Sequence, residues 1–191
     1  MPRAGLDSER VVDAAAQIAD AEGLDAVTLA RLAGALGVRA PSLYNHVEGR
    51  GGLLRALALR GVRELTAALR DAAVGRSGSD ALRATANAYR AYAHAHPGLY
   101  AASVAAPAPG DREHQAAARE TVDVVFAVLR GWSLEGDEAI HAARAFRSAV
   151  HGFVVIEAAG GFGIPVDLDA SFERLVATLA AGLENRGWQD A

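Results

Sequence analysis

Apolar residues return along this chain at helical spacing, and its β-branched runs are short. Val122, Val125, Phe126 and Leu129 stand at i, i+3, i+4 and i+7, and Phe172, Leu175, Val176, Leu179 and Leu183 form a second such stripe. The side chains available to fill these patterns are small: hydrophobic residues make up 51% of the 191 but aromatics only 6%, and the difference is mostly alanine. Alanine favours the helix and fills little volume. The pattern predicts an all-α fold.

About nine helices can be read. Ser8 stands where a first N-cap belongs, Val11, Ala15, Ile18 and Ala19 share one face, and Gly23 is a stop signal. Thr28 caps a short second helix ending near Gly37, and Pro41 suits the first turn of a third. A long fourth helix runs from about Gly51 to Ala73 with Leu54, Leu57, Ala58, Gly61 and Leu65 inward. Gly75-Arg76-Ser77-Gly78-Ser79 reads as a linker. Five helices follow: Asp80 to His96, a short one after Pro97, the one bearing Val122 to Leu129, one from about Glu135 to Ala159, and the one bearing Phe172 to Leu183. The expected organisation is a three-helix N-terminal domain (1–50), a connecting helix (51–74) and a C-terminal bundle (75–191).

Cysteine is absent, which removes disulfides, thiolate metal sites and cysteine nucleophiles together. No uncharged apolar run approaches the roughly 18–20 residues that span a bilayer, and the polar stretch Met1 to Arg10 lacks a signal peptide's apolar core. A cytoplasmic protein without membrane attachment is expected. The formal charge is −4, yet eight arginines meet seven acids in the first 63 residues, and Glu48 is the only acid between Val27 and Arg63. Arg31, Arg39, Arg50, Arg55, Arg60 and Arg63 fall there, so a local basic surface is expected on an acidic protein.

Residues 28–46 read TLARLAGALGVRAPSLYNH. A helix-turn-helix needs a small residue where its helices cross, a glycine in the turn and an apolar residue locking the second helix onto the first. Ala33, Gly37 and Leu43 supply these, with Leu32, Leu36 and Val38 as core. Arg39, Ser42, Asn45 and His46 interleave with Tyr44 on the surface a major groove would meet. An ordinary αα-hairpin wants Ala, Gly and Leu at similar spacing, so the pattern alone leaves both readings open.

Residues 8–58 resemble the DNA-binding domain of TetR-type transcriptional repressors, most closely in PSLYNHVEGRGGLLRAL, Pro41 to Leu57. AYRAYAHAHPGLYAAS and AFRSAVHGFVVIEAAGGFG are similar to a branch of that family with a Trp-His-Gly signature, which here reads Val150-His151-Gly152. The resemblance implies a homodimer that grips a palindromic double-stranded DNA operator and carries a small-molecule effector in its C-terminal domain. By that resemblance Thr28 contacts phosphate, Ala40, Pro41, Ser42, Asn45 and His46 face the groove, Tyr44 and His46 grip phosphate, and Arg50 contacts the backbone. Ala30 and Ala40 replace polar readers of other members, and Arg39 is a compensating reader of guanine or a phosphate ligand. Glu48 repels DNA unless it pairs with Arg50 or Arg39.

No metal site or cofactor is expected: His94 and His96, two apart on a helix, point away from each other, and His141 and His151 lie ten apart. Ser103 and Ser148 have no visible base and acid, so an enzyme is not expected. Tyr89, Tyr92, His96, Tyr100 and Phe126 are candidates for lining an effector cavity, or else simply fill the bundle core. Arg147 and His151 would suit a carboxylate-bearing ligand; alternatively their stripe, with Arg144, is solvated or meets Glu157 or Glu173 of the partner subunit. The expected function is a ligand-responsive repressor. The alternative is a helical ligand-binding or interaction protein whose DNA-binding head is degenerate.

Overall fold

The computed structural model describes residues 6–185; Met1 to Gly5 and Arg186 to Ala191 lie outside the described residues. Among the described residues there are nine α-helices and no strand. They are α1 (Ser8–Glu22), α2 (Leu29–Leu36), α3 (Ala40–Leu43), α4 (Gly49–Ala73), α5 (Gly78–Ala95), α6 (Pro97–Ser103), α7 (Arg112–Leu129), α8 (Gly136–Ala158) and α9 (Leu168–Asn185). Single 3₁₀ turns occupy Leu24–Ala26 and Arg130–Trp132. The cap of α1 is Asp7, not Ser8: its carboxylate accepts the Arg10 N–H at 2.8 Å, while the Ser8 hydroxyl donates to the His46 carbonyl at 3.3 Å. Helix α5 starts inside the expected linker, leaving only a short turn after α4.

Two compact units emerge. One reaches to Glu64 and takes up Ala95–Ala117; the other holds Leu65–His94 and resumes at Ala118. The first is built on Val11, Ile18, Leu32, Leu43, Leu53, Leu57 and Leu99, all at most 4% exposed. Its small residues are dictated by close approach. A Cβ on Gly98 would lie 2.2 Å from the Ala19 carbonyl carbon, and one on Gly61 would lie 2.4 Å from the Leu99 oxygen. Helix α6 is therefore wedged against the backbone of α1 and against α4. Asp20 completes the joint: one carboxylate oxygen accepts the Gly98 and Leu99 N–H groups at 2.8 and 3.0 Å, and the other lies 3.3 Å from His96 Nδ1. These are the orphan donors of the α6 N-terminus, satisfied from another helix.

The second unit packs α5 against α8 and α9 through Tyr89, Phe146, Val150, Val154, Phe172, Val176 and Leu183. On α7 the expected face holds in part: Leu129 is buried and Val125 and Phe126 are half-buried, but Val122 is 42% exposed while Val124 and Val128 turn inward. Thr121 explains the shift. Its hydroxyl lies 2.6 Å from that of Thr66 on α4, so a polar residue with a buried partner sits on the inward face that an apolar-only reading passes over.

A charge network built on the half-buried Arg90 and Glu157 holds α5 to α8 and α9. Arg90 donates to Glu157 at 2.9 Å and to Asp169 at 2.8 Å, and His94 Nε2 lies 2.8 Å from Glu157. The guanidinium also stands 4.9 Å from the centre of the Phe172 ring. The Arg90 and Glu157 side chains are only 15% and 10% exposed. Hydrogen bonding from Arg90 holds the Glu157 carboxyl below its ordinary range. Glu157→Gln is expected to lower stability by about 2 kcal/mol at neutral pH, the scale of a charge-assisted bond, measured by urea unfolding. Because the folded-state pKa is the lowered one, that difference shrinks as pH falls through it.

Candidate nucleic-acid interface

The site begins at Thr28, whose extended backbone precedes α2 and whose hydroxyl oxygen accepts the Arg31 N–H at 3.1 Å. The hydroxyl proton is left to donate elsewhere. Gly37 closes α2 in the left-handed conformation (φ 65°, ψ 31°), its N–H bonding to Gly34 and that of Val38 to Ala33. This pair of bonds is the Schellman motif, and it turns the chain for α3. Arg39 caps α3 in extended conformation, and Pro41 sits in its first turn. Leu43, fully buried, anchors the turn-helix to α1 and α2.

Helix α3 ends at Leu43, so Tyr44, Asn45 and His46 lie in the turn that follows, held by His46 and Val47 N–H bonds to the Leu43 carbonyl. The residues expected to meet the groove are therefore divided between this short helix and the turn after it. Thr28, Arg39, Pro41, Ser42, Tyr44, Asn45 and Arg50 are exposed, while Ala40 and His46 are half-buried. Tyr44 keeps 63% of its surface in water. An aromatic ring placed so, beside Arg39, Ser42 and Asn45, contributes little to the core.

The charge around this surface differs from the expected basic patch. Arg31 is held by Glu22 at 2.6 Å, Arg60 by Asp13 and Glu64, Arg55 by Asp111 and Glu113, and Arg63 by Glu113. Arg50 donates to the Val27 and Leu24 carbonyls at 3.0 and 3.2 Å and approaches Asp25, so it clips the loop before α2. Arg39 alone of these six has no ion-pair partner among the described residues. Glu48 pairs with neither Arg39 nor Arg50; it stands before α4, where a side chain at Gly52 would meet its Cβ at 2.9 Å.

Arg55 and the Asp111 carboxylate make a fork at the start of α7, where Asp111 also accepts the His114 N–H at 3.1 Å. The Arg55 bond, then the backbone bond, lower the Asp111 pKa to about 2. A lowered folded-state value stabilises the fold above about pH 4, near the unfolded pKa, and this is lost as pH falls toward 2. Asp111→Asn is expected to flatten the fall of melting temperature across that window, as read by circular dichroism from pH 5 to 2.

The candidate effector residues are distributed over the two units. Tyr89, Tyr92, Phe126, Arg147 and His151 belong to the second unit, and His96 and Tyr100 to the first. Tyr89, Tyr92 and Tyr100 are buried, Phe126, His96 and His151 half-buried, and Arg147 exposed. Glu157 and Glu173 are engaged within the chain, Glu173 by Arg83 and Asn87. On α9, Phe172, Val176 and Leu183 are buried in the unit's own core. Val155 and Ile156 on α8 and Phe162, Ile164 and Val166 beyond it are among the exposed apolar residues. Sequence reasoning missed Asp20 and Arg90 and gave Glu157 only a role toward a partner subunit; each of the three works through a residue of this chain more than 60 positions away.

The family model described as bacterial regulatory proteins, tetR family, matches residues 11–57, and that of the tetracyclin repressor-like C-terminal domain matches 82–179. The chain is 42% identical over 96% of its length, and 84% of the relative's, to the uncharacterized HTH-type transcriptional regulator Rv0681 of Mycobacterium tuberculosis (strain ATCC 25618 / H37Rv). It is 37% identical, over 95% of both chains, to the uncharacterized HTH-type transcriptional regulator YobS of Bacillus subtilis (strain 168). A solved structure of a protein of unknown function from Rhodococcus sp. RHA1 superposes with a TM-score of 0.80 at 25% identity, over 96% of this chain and 99% of that one. Both halves of the sequence and the turn at Gly37 thus lead to one assignment: the chain belongs to the TetR family of HTH-type transcriptional regulators.

Proposed function

We propose that the chain is a ligand-responsive repressor that binds a palindromic operator as a homodimer and releases it when a small molecule occupies the C-terminal part. The observation that carries the DNA reading is the exposed set Arg39, Ser42, Tyr44 and Asn45, held out by the Gly37 turn and the buried Leu43. Thr28, Ala40, Pro41, His46 and Arg50 complete the surface, with Arg50 acting chiefly by fixing the loop before α2. A two-fold dimer sets its recognition elements about 34–36 Å apart, in successive major grooves, and so requires a symmetric operator. Val155, Ile156, Phe162, Ile164 and Val166 are the apolar surface a second copy would cover.

In function, 1–50 binds DNA, α4 connects, and 75–191 dimerises and takes the effector, in contact with Tyr89, Tyr92, Phe126, Arg147 and His151; Tyr100 lies on α6 and His96 caps it. Helix α4 contributes to both compact units, so a displacement at its C-terminal end is carried along one continuous helix. The effector shifts the equilibrium only by its differential affinity for the two conformations. Such a protein works in the cytoplasm; among the described residues no helix is long and apolar enough to cross a membrane.

A second reading, a head that has lost DNA affinity, is favoured by Ala30, Ala40, Glu48 and the internally paired arginines. Selection from random duplexes separates the two: enrichment of a two-fold-symmetric sequence supports the repressor, and no enrichment supports the degenerate head. Light scattering at micromolar concentration is expected to give a dimer. A monomer that still binds DNA would refute the two-fold arrangement.

A further inference from the structure

We propose that Arg50 and Ser8 are positioning residues for DNA binding: Arg50 holds the Thr28 end of the surface, Ser8 holds the Tyr44–His46 turn, and neither is a phosphate ligand. The inference rests on the DNA reading and adds to it what keeps the contacts in place. All of these segments lie in the first unit. The Thr28 end follows a loop. Gly23 leaves α1 at φ 85°, a single 3₁₀ turn follows at Leu24–Ala26, and the Val27 and Thr28 N–H groups bond to the Leu24 and Ala26 carbonyls at 3.2 and 2.9 Å. Arg50, on the first turn of α4, grips this loop from 23 positions beyond Val27: Nε donates to the Val27 carbonyl at 3.0 Å and Nη2 to that of Leu24 at 3.2 Å. One planar fork thus spans the loop from the start of its turn to the residue before Thr28, a geometry that a lysine ammonium does not match. Asp25 stands 3.7 Å from Nη2 and offsets part of its charge.

What Arg50 fixes is the start of α2. The Thr28 hydroxyl takes the Arg31 N–H, so the N–H groups of Leu29 and Ala30, the first two residues of the helix, are the donors a phosphate would meet there. Their place depends on the loop before them. At the other end of the surface, the Leu43 carbonyl accepts the His46 and Val47 N–H groups at 2.9 and 3.0 Å, which ties the turn to α3. Ser8 ties it to α1: its hydroxyl donates to the His46 carbonyl at 3.3 Å, from 38 positions earlier. Asp7 caps α1, so the Ser8 hydroxyl is free for this role, and removing it leaves the cap intact. Tyr44 and Asn45, both exposed, precede the residue it holds.

The test uses the full chain and a duplex enriched from random sequences. Arg50→Gln, checked by thermal melting to be folded at the assay temperature, is expected to weaken binding about tenfold, the scale of hydrogen bonds from a charged group. The slope of log affinity against log salt is expected to stay within about 0.3 of the parent's, where loss of a phosphate ligand would flatten it by about 0.9. Arg50→Lys keeps the charge and is expected to lose nearly as much as Arg50→Gln. Thr28→Ala is expected to cost less in the Arg50→Gln background than alone, because a misplaced Thr28 has less to lose. Without DNA, amide exchange at Val27 and Thr28 is expected to quicken about fivefold or more in Arg50→Gln. Ser8→Ala is expected to weaken binding about threefold at an unchanged melting temperature, and Ser8→Thr to restore it. A slope flattened by about 0.9, or additive losses at Arg50 and Thr28, would return Arg50 to the phosphate ligands, and unchanged exchange would refute its hold on the loop. Unchanged binding by Ser8→Ala, or no rescue by Ser8→Thr, would remove Ser8. Enrichment of no duplex would overturn the DNA reading and both roles with it, an outcome distinct from the others because in those the parent protein still binds.

Discussion

Gly98→Ala is expected to destabilise the first unit by about 3 kcal/mol, the upper part of the range for overpacking a tight core. The new methyl would fall 2.2 Å from the Ala19 carbonyl carbon and 2.3 Å from its oxygen, both backbone atoms that cannot rotate aside. Relief requires α6 to withdraw from α1, which also breaks the bonds from Gly98 and Leu99 to Asp20. Gly152→Ala is the control: it adds the same methyl to a helix with nothing within 4 Å, so it should be neutral or gain up to about 1 kcal/mol from helix propensity. Urea unfolding of both variants checks this. Equal midpoints for the two would mean that α6 is not wedged as described.

Arg39→Ala is expected to weaken operator binding about 5- to 150-fold, the 1–3 kcal/mol that a well-placed base-reading arginine supplies. The prediction follows from elimination among named side chains. Arg31, Arg55, Arg60 and Arg63 are engaged by carboxylates, and Arg50 by the carbonyls of Leu24 and Val27. Arg55→Ala should therefore change DNA affinity little while lowering stability at the α4–α7 junction. Anisotropy titrations of both variants decide it; a larger loss for Arg55→Ala than for Arg39→Ala would reverse the assignment. If Arg39 reads a base, the variant also relaxes sequence preference at that position.

The helix-turn-helix was legible because its determinants are local. Thr28 caps three residues ahead, Gly37 needs one backbone conformation, and Ala33 and Leu43 pack within a 16-residue span. Local signals still compete: Asp7 and Ser8 are both good caps, and the carboxylate took the role while the hydroxyl found His46. Val122 was misplaced on the inward face of α7 because Thr121, which takes that place, depends on Thr66, 55 residues earlier. Arginine spacing likewise suggested a basic surface, but the acids that neutralise Arg55 and Arg63 arrive with or just before α7, and one of the two that hold Arg60, Asp13, lies on α1. Periodicity reports which face is buried. It does not report which distant charge will meet it there.

Fluorescence anisotropy of the purified protein on the duplex upstream of its own reading frame, beside a scrambled duplex and at two salt concentrations, tests the central claim most directly. The account predicts binding that prefers the upstream duplex and weakens steeply as salt rises, because phosphate contacts release counterions. Binding no stronger than to scrambled duplex, with little change between the two salts, would contradict it.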